Sequence, residues 1–273
     1  MNQPAPRAST APLRLWHQSM TELEGLGTYR DYLIAHSKTV LGDEATVQVE
    51  GVRAGSYHGR PPTAALGNAF VYHRVLDQII DNAIAAERAG FDAFVVGSFS
   101  EPLLREIRSA VTIPVTGIVE STMLVACSLG QRIAPIANAP QVAMMVQSAV
   151  EKHGLQSRVL PCVALDPPLN EAELMVAAAS NPQAVLASFA KAARHAIAYL
   201  GAEVIVPAEA VLATLVIANK LKEIDGAPVV DCLAVAWRHT LMMVRLHSDC
   251  GLQVSRIGSY ARSDPALIAL IAR

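Results

Sequence analysis

One unit of this chain is written twice, and that repetition limits the folds open to it more than any other feature. Residues 90–98 read Gly-Phe-Asp-Ala-Phe-Val-Val-Gly-Ser, and residues 201–209 read Gly-Ala-Glu-Val-Ile-Val-Pro-Ala-Glu. Each copy is a glycine, an acidic residue two places on, an apolar run and a polar end. Positions 90, 92 and 98 recur at 201, 203 and 209, a constant offset of 111. Each copy then leads into a helical-looking segment and a short strand opened by proline, Ile113-Pro114-Val115 or Ala227-Pro228-Val229. A duplicated strand–loop–helix delivers two polar residues, Ser98 and Glu209, from corresponding loops. If the two halves face each other, those residues flank one cleft.

Short apolar runs followed by polar loops and helical patterns give eight strand candidates, four in each half. They fall at 13–16, 46–49, 93–96, 113–115, 132–136, 159–163, 203–206 and 228–231. Helices are expected at 21–41, 64–89, 102–110, 121–129, 141–153, 182–200, 210–224 and 233–246, with Gly90 and Gly201 as C-terminal stops. Strands that alternate with helices predict an α/β fold with parallel sheets and right-handed crossovers. The composition agrees: 52% of residues are hydrophobic and only 5% aromatic, the usage of strands buried on both faces. The expected architecture is two pseudo-symmetric lobes, each a roughly four-stranded parallel sheet flanked by helices, with the cleft between them. The first lobe takes residues 13–118 plus 235–273 and the second takes 119–234. Residues 1–12 are polar and proline-rich, lack the apolar core of a secretory signal, and read as a flexible lead-in.

Ligands in open parallel sheets sit beyond the carboxyl ends of the strands. Those ends carry Gln18-Ser19, Ser98-Phe99-Ser100, Glu120-Ser121-Thr122, Asn138 and Ala208-Glu209-Ala210. The turn-rich loop with Tyr57 and His58 comes after the second strand and is placed over the same cleft. Glu209 lies between an apolar strand and an apolar helix. Its carboxylate is either a base whose pKa burial has raised or a partner for its own helix's N-terminus. Ser98 reads as a nucleophile or oxyanion donor, or as a turn or cap residue. Glu120, Ser121 and Thr122 start a helix, where hydroxyls and free N–H groups bind carboxylates or simply cap. Gln18 and Ser19 share that ambiguity.

A net charge of −2 gives no electrostatic reason to expect nucleic acid or an anionic membrane as partner. No Gly-x-Gly-x-x-Gly, P-loop, Gly-x-Ser-x-Gly or paired-cysteine motif is present, and the histidines have no metal-ligand spacing. No nucleotide, other cofactor or metal is therefore expected. The four cysteines, 127, 162, 232 and 250, match no redox or zinc pattern and read as buried reduced thiols of a cytoplasmic protein. Few fixed positive charges fall near the strand ends. Arg60 is the best placed, which favours a neutral ring or a single carboxylate as substrate over a dicarboxylate.

Taken in order, residues 91–102, Ile113-Pro114-Val115-Thr116-Gly117-Ile118-Val119-Glu120, 201–206 and Ser255-Arg256-Ile257-Gly258-Ser259-Tyr260 resemble the aspartate/glutamate/hydantoin racemase superfamily, in its hydantoin racemase-like branch. The resemblance covers nearly the whole chain from Leu13. It implies two pseudo-symmetric α/β lobes, a cofactor-independent site in the cleft, and dimers or larger assemblies. It also implies a cysteine at the end of each repeat strand, one removing a proton next to a carbonyl and the other delivering one to the opposite face. Here those positions hold Ser98 and Glu209.

A glutamate with a raised pKa can cycle between acid and base near neutrality, whereas an unassisted serine hydroxyl cannot. Three readings are open. The first is a racemase or isomerase in which Glu209 takes the proton α to a carbonyl of a small amino-acid derivative or hydantoin-like ring, while Ser98 and the helix-start groups hold the oxyanion. The second is a hydrolase of a cyclic amide, imide or lactone using Ser98 and Glu209, or a decarboxylase on the same scaffold. The third is a binding protein for small carbonyl ligands.

Overall fold

The computed structural model describes residues 11–24 and 26–271, so most of the lead-in lies outside the described residues. The first part of the chain runs β1 (Leu13–Gln18), α1 (Gly27–Leu41), β2 (Ala45–Glu50), α2 (Pro62–Leu66), α3 (Ala69–Leu76), α4 (Gln78–Arg88), β3 (Ala93–Val96), α5 (Leu104–Ala110) and β4 (Val115–Gly117). Its sheet is parallel throughout, in the order β2-β1-β3-β4. The chain continues through α6 (Ile118–Ala126), β5 (Ile133–Ala137), α7 (Pro140–Lys152), β6 (Val163–Ala164), α8 (Glu171–Ser180), α9 (Pro182–Leu200), β7 (Val204–Pro207) and α10 (Ala210–Ala218). A second parallel sheet has the order β6-β5-β7. After a short hairpin, β8 (Glu223–Ile224) and β9 (Ala227–Pro228), the chain forms α11 (Cys232–Cys250), a 3-10 turn at Gly258–Tyr260 and α12 (Pro265–Ile271).

Every residue of β3 and of β7 is buried. Parallel strands covered on both faces need continuous apolar runs, and those two segments supply them. The helices before them end at Gly90 and Gly201, both in the left-handed region (φ 73° and 65°), where glycine carries no Cβ penalty. The result is α/β architecture with parallel sheets flanked by helices, as the alternation predicts.

The fourth strand of the second sheet is shorter than expected. Val229 meets Ile205 in a single parallel bridge, while Ala227–Pro228 pairs antiparallel with Glu223–Ile224. The cause is Asp225-Gly226, whose two positive φ angles (48° and 87°) fit the turn that favours a two-residue hairpin. The same hairpin ends α10 earlier than expected. The helix expected over 64–89 is three helices: Asn68 caps α3 by accepting from the amides of Phe70 and Val71, which restarts the helix there. Helix α8 fills a stretch where none was expected. Helix α11 returns to the first sheet, touching α1, α6 and β3, and the Thr240 hydroxyl lies 2.6 Å from that of Thr116 on β4.

Candidate active site

The two repeat strands end alike. The Gly97 amide donates to the Gln18 carbonyl (2.9 Å) and the Ala208 amide to the Ile136 carbonyl (2.7 Å), each the last rung of its ladder. The next residue leaves the sheet in both cases: Ser98 in one, Glu209 in the other. Both line a single small cavity of about 60 Å³. Around them, Ser19, Met20 and Thr21 come after β1, and Pro62 and Thr63 come from α2. Gly97, Phe99 and Ser100 flank Ser98, Val142 and Met145 come from α7, Glu171 opens α8, and Ala210 opens α10.

Glu209 is the N-cap of α10. Its Oε1 accepts from the Val211 amide (3.0 Å) and its Oε2 from the Leu212 amide (2.7 Å). It is 8% exposed. Burial pushes its pKa up to about 7; the two amides oppose that, and the charge of Glu171 adds to it. Each carboxylate oxygen keeps a second lone pair beyond its amide bond. The two readings of Glu209, cap and tuned acid, thus describe one geometry.

Ser98 is half-buried and neutral. Its hydroxyl lies 3.1 Å from the Ser100 hydroxyl and accepts weakly from the Ser100 amide (3.3 Å). The residues after it take an irregular path, with Glu101 and Leu103 at φ 39° and 55°. Gly97 beneath it has a physical reason to be glycine, because a Cβ there would overlap the imidazole of His17. That histidine is fully buried, and burial lowers its pKa to about 4. Its Nδ1 accepts from the Trp237 indole at 3.2 Å, and its Nε2 has no hydrogen-bond partner.

Of the residues expected at the site, Ser19, Ser98, Phe99, Glu209 and Ala210 line the cavity together. The others stand elsewhere. Gln18 points to the opposite side of the sheet, its amide oxygen accepting from Trp16 and Asn82, because successive strand residues alternate faces. Tyr57 is buried and donates to the Met20 carbonyl at 2.5 Å; His58 and Arg60 are exposed on the loop. Ala208 is buried in the last rung, and Asn138 donates to the Leu169 carbonyl at 3.0 Å. Ser121 bonds His239 (2.7 Å) and Thr122 is buried in α6.

Glu120 belongs to a separate cluster, because α6 starts at Ile118 and so carries it past the helix start. It pairs with Arg108 at 2.5 Å. Burial pushes the Glu120 carboxyl up, but Arg108 outweighs that and holds it below its usual value. The Glu120 amide donates to Glu101 (2.8 Å), whose other oxygen meets His153 at 2.5 Å. Glu101 in turn donates its amide to the Ser98 carbonyl (3.0 Å), so this cluster anchors the loop behind Ser98.

Among the cavity residues not expected from the sequence are Thr63 and Glu171. The Thr63 hydroxyl donates to Glu171 Oε2 at 2.5 Å. The signal that leads to Glu171 is the capping box Asn170-x-x-Glu173, which fixes the start of α8. Tyr29 from α1 is also buried against the site. Burial and then the charge of Glu209 push its phenol up, and its hydroxyl, beside Ser19, has no hydrogen-bond partner of good geometry. No cysteine lines the cavity. Only Cys232 is fully buried, Cys127 and Cys162 are half-buried and Cys250 is exposed, so the expectation of four buried thiols does not hold. Among the described residues, no group of three or more His, Cys, Asp or Glu side chains is placed to share a metal ion. No helix among them is long and apolar enough to cross a membrane.

The fold is that of a racemase-type α/β protein. Allantoin racemase from Pseudomonas fluorescens superposes with a TM-score of 0.72 at 18% identity, covering 93% of this chain and 98% of that one. In sequence, the hydantoin racemase of Pseudomonas sp. (strain NS671) is 26% identical over 182 residues, 67% of this chain and 68% of that one. The hydantoin racemase of Rhizobium meliloti is 27% identical over 175 residues, 64% of this chain and 68% of that one. A sequence model of the Asp/Glu/hydantoin racemase family matches residues 46–240, more than half of the chain. This chain belongs to that family, which places it among enzymes of the isomerase class.

Proposed function

We propose that this protein is a cofactor-independent isomerase of the racemase type, acting on the carbon next to a carbonyl in a small amino-acid derivative or a hydantoin-like ring. The observation that carries the reading is Glu209. It is a buried carboxyl with a pKa pushed up to about 7, at the end of a repeat strand, in a cavity it shares with Ser98. A base for a weak carbon acid works best when its pKa lies near the operating pH. Glu209 takes the proton, the C–H electron pair moves into the carbonyl as an enolate, the hydroxyls of Ser98 and Ser19 donate to the developing oxyanion, and a proton from solvent on the opposite face of the carbon completes the inversion. Phe99, Val142 and Met145 form an apolar wall, and hydrogen bonds to the oxyanion gain strength in such low-dielectric surroundings.

The same geometry weighs against the hydrolase reading. Acyl transfer needs a base on the Ser98 hydroxyl, and the partners of that hydroxyl are the Ser100 hydroxyl and amide. Single enantiomers of hydantoins and amino-acid amides incubated in deuterated water test the proposal. Deuterium is expected at the α carbon, without ring opening. Ring-opened product with no α-deuterium would replace the isomerase with a hydrolase.

A further inference from the structure

The cavity carries two carboxyl groups, Glu171 and Glu209, and among the described residues its lining includes no lysine, arginine or histidine. Arg60, the best-placed cation in the sequence, is exposed and does not line it. A substrate with a free carboxylate would lose its water there against like charge, with no cation to offset the loss. Thr63 fixes one oxygen of the Glu171 carboxylate, which gives the group one orientation. Behind the cavity Tyr29, 5% exposed, sets an uncharged phenol, and no cation, beside Ser19 and Glu209.

We infer that Glu171 receives a protonated amine, so that the substrate class of this site is a cationic α-amino carbonyl compound without a carboxylate, an α-amino amide or α-amino lactam. The inference rests on the isomerase reading above for its chemistry, though not for its binding.

The arrangement couples binding to base strength. With the cavity empty, the charge of Glu171 opposes ionisation of Glu209. An ammonium group on Glu171 cancels that opposition, and Glu209 gives up its proton as the substrate binds. The substrate then meets an ionised base. An α-ammonium group also withdraws electrons from the carbon to be deprotonated. The C–H bond breaks, its proton goes to Glu209, the electron pair is held as enolate, and inversion is completed when carbon takes a proton on its other face from solvent, the Glu209 proton passing to solvent. Nothing is oxidised or reduced.

Equilibrium binding tests this without turnover. Three probes are titrated calorimetrically near neutral pH: an α-amino-γ-lactam, the same lactam without the amine, and the lactam bearing a carboxylate in its place. The amino lactam is expected to bind about tenfold tighter than either, with a net release of protons. Glu171→Gln should abolish both the preference and the proton release. Equal binding of the amino and plain lactams by the wild-type protein overturns the inference, as does a preference that survives in Glu171→Gln. If that variant does not fold, the wild-type comparison alone decides. A preferred amine that shows no α-deuterium uptake sinks the isomerase reading and leaves Glu171 its role. Uptake with plain hydantoins and no amine preference does the reverse.

Discussion

The end of β3 and the end of β7 begin identically and part within one residue. After the last rung at Ala208, Glu209 becomes the first cap of a helix, so its carboxylate meets two amides and a buried surrounding at once. After the last rung at Gly97, Ser98 enters an irregular segment and α5 begins only at Leu104. The ladder decides where each side chain stands. The segment beyond the ladder decides its electrostatics. A duplicated scaffold therefore fixes two positions around a cavity without making them chemically equal, and here one end holds a titratable group near neutrality while the other holds a hydroxyl.

The strongest test of this asymmetry is to remove each end in turn. Glu209→Gln should reduce α-deuterium exchange by about 10³-fold or more, the worth of a general base. Ser98→Ala, losing one oxyanion donor, should cost about 10²-fold. Ser98→Cys, which puts an ionisable group at the second end, should raise the rate of enantiomer interconversion relative to exchange. Equal losses in the first two variants would abolish the distinction between the ends.

The next test uses pH. Glu209 must be ionised to accept a proton, so kcat/KM should fall as pH drops through the Glu209 pKa of about 7. Glu171→Gln removes a like charge and should move that acid limb to lower pH. A limb that stays in place would mean that the two carboxyls do not interact.

Stability offers the smaller effects. The folded pKa of Glu209 is raised, so the neutral form favours folding: the contribution is whole below the unfolded value and is lost as pH rises through the folded one. From 4.5 to about 7, that amounts to a loss of about 3 kcal/mol as Glu209 ionises. Glu209→Gln should flatten this part of the stability–pH curve in denaturant melts. Gly97→Ala should lower stability by about 2 kcal/mol, because its methyl meets the buried His17 ring. The corresponding position in the other copy, Ala208, already carries a methyl, so the cost is peculiar to one end.

Much of this was legible in the sequence because it is local. An apolar run between a helix-stopping glycine and a polar residue defines a buried parallel strand and its end, so β3, β7, Ser98 and Glu209 could be placed directly. Ser19 came from the same rule. The same rule brought in the neighbouring Gln18 wrongly, since which of two consecutive residues faces the cavity depends on what covers each side of the sheet. Glu120 was misplaced because α6 starts at Gly117–Ile118, where no side chain caps it to announce the start. Thr63 and Glu171 come from α2 and α8, 108 residues apart, and only tertiary packing joins them. A capping box marked α8, but nothing in its sequence says that its first residue faces a cavity built by other strands.

The anchoring of the segment behind Ser98 bears on how such a protein can diversify. Glu101 holds three neighbours at once: the Ser98 carbonyl through its amide, and the Glu120 amide and His153 through its carboxylate. All three depend on its being three residues downstream of Ser98. A single inserted residue between them would unhook every one. This stretch should therefore accept new side chains at position 98 and reject any change of length, so variation here proceeds by substitution alone.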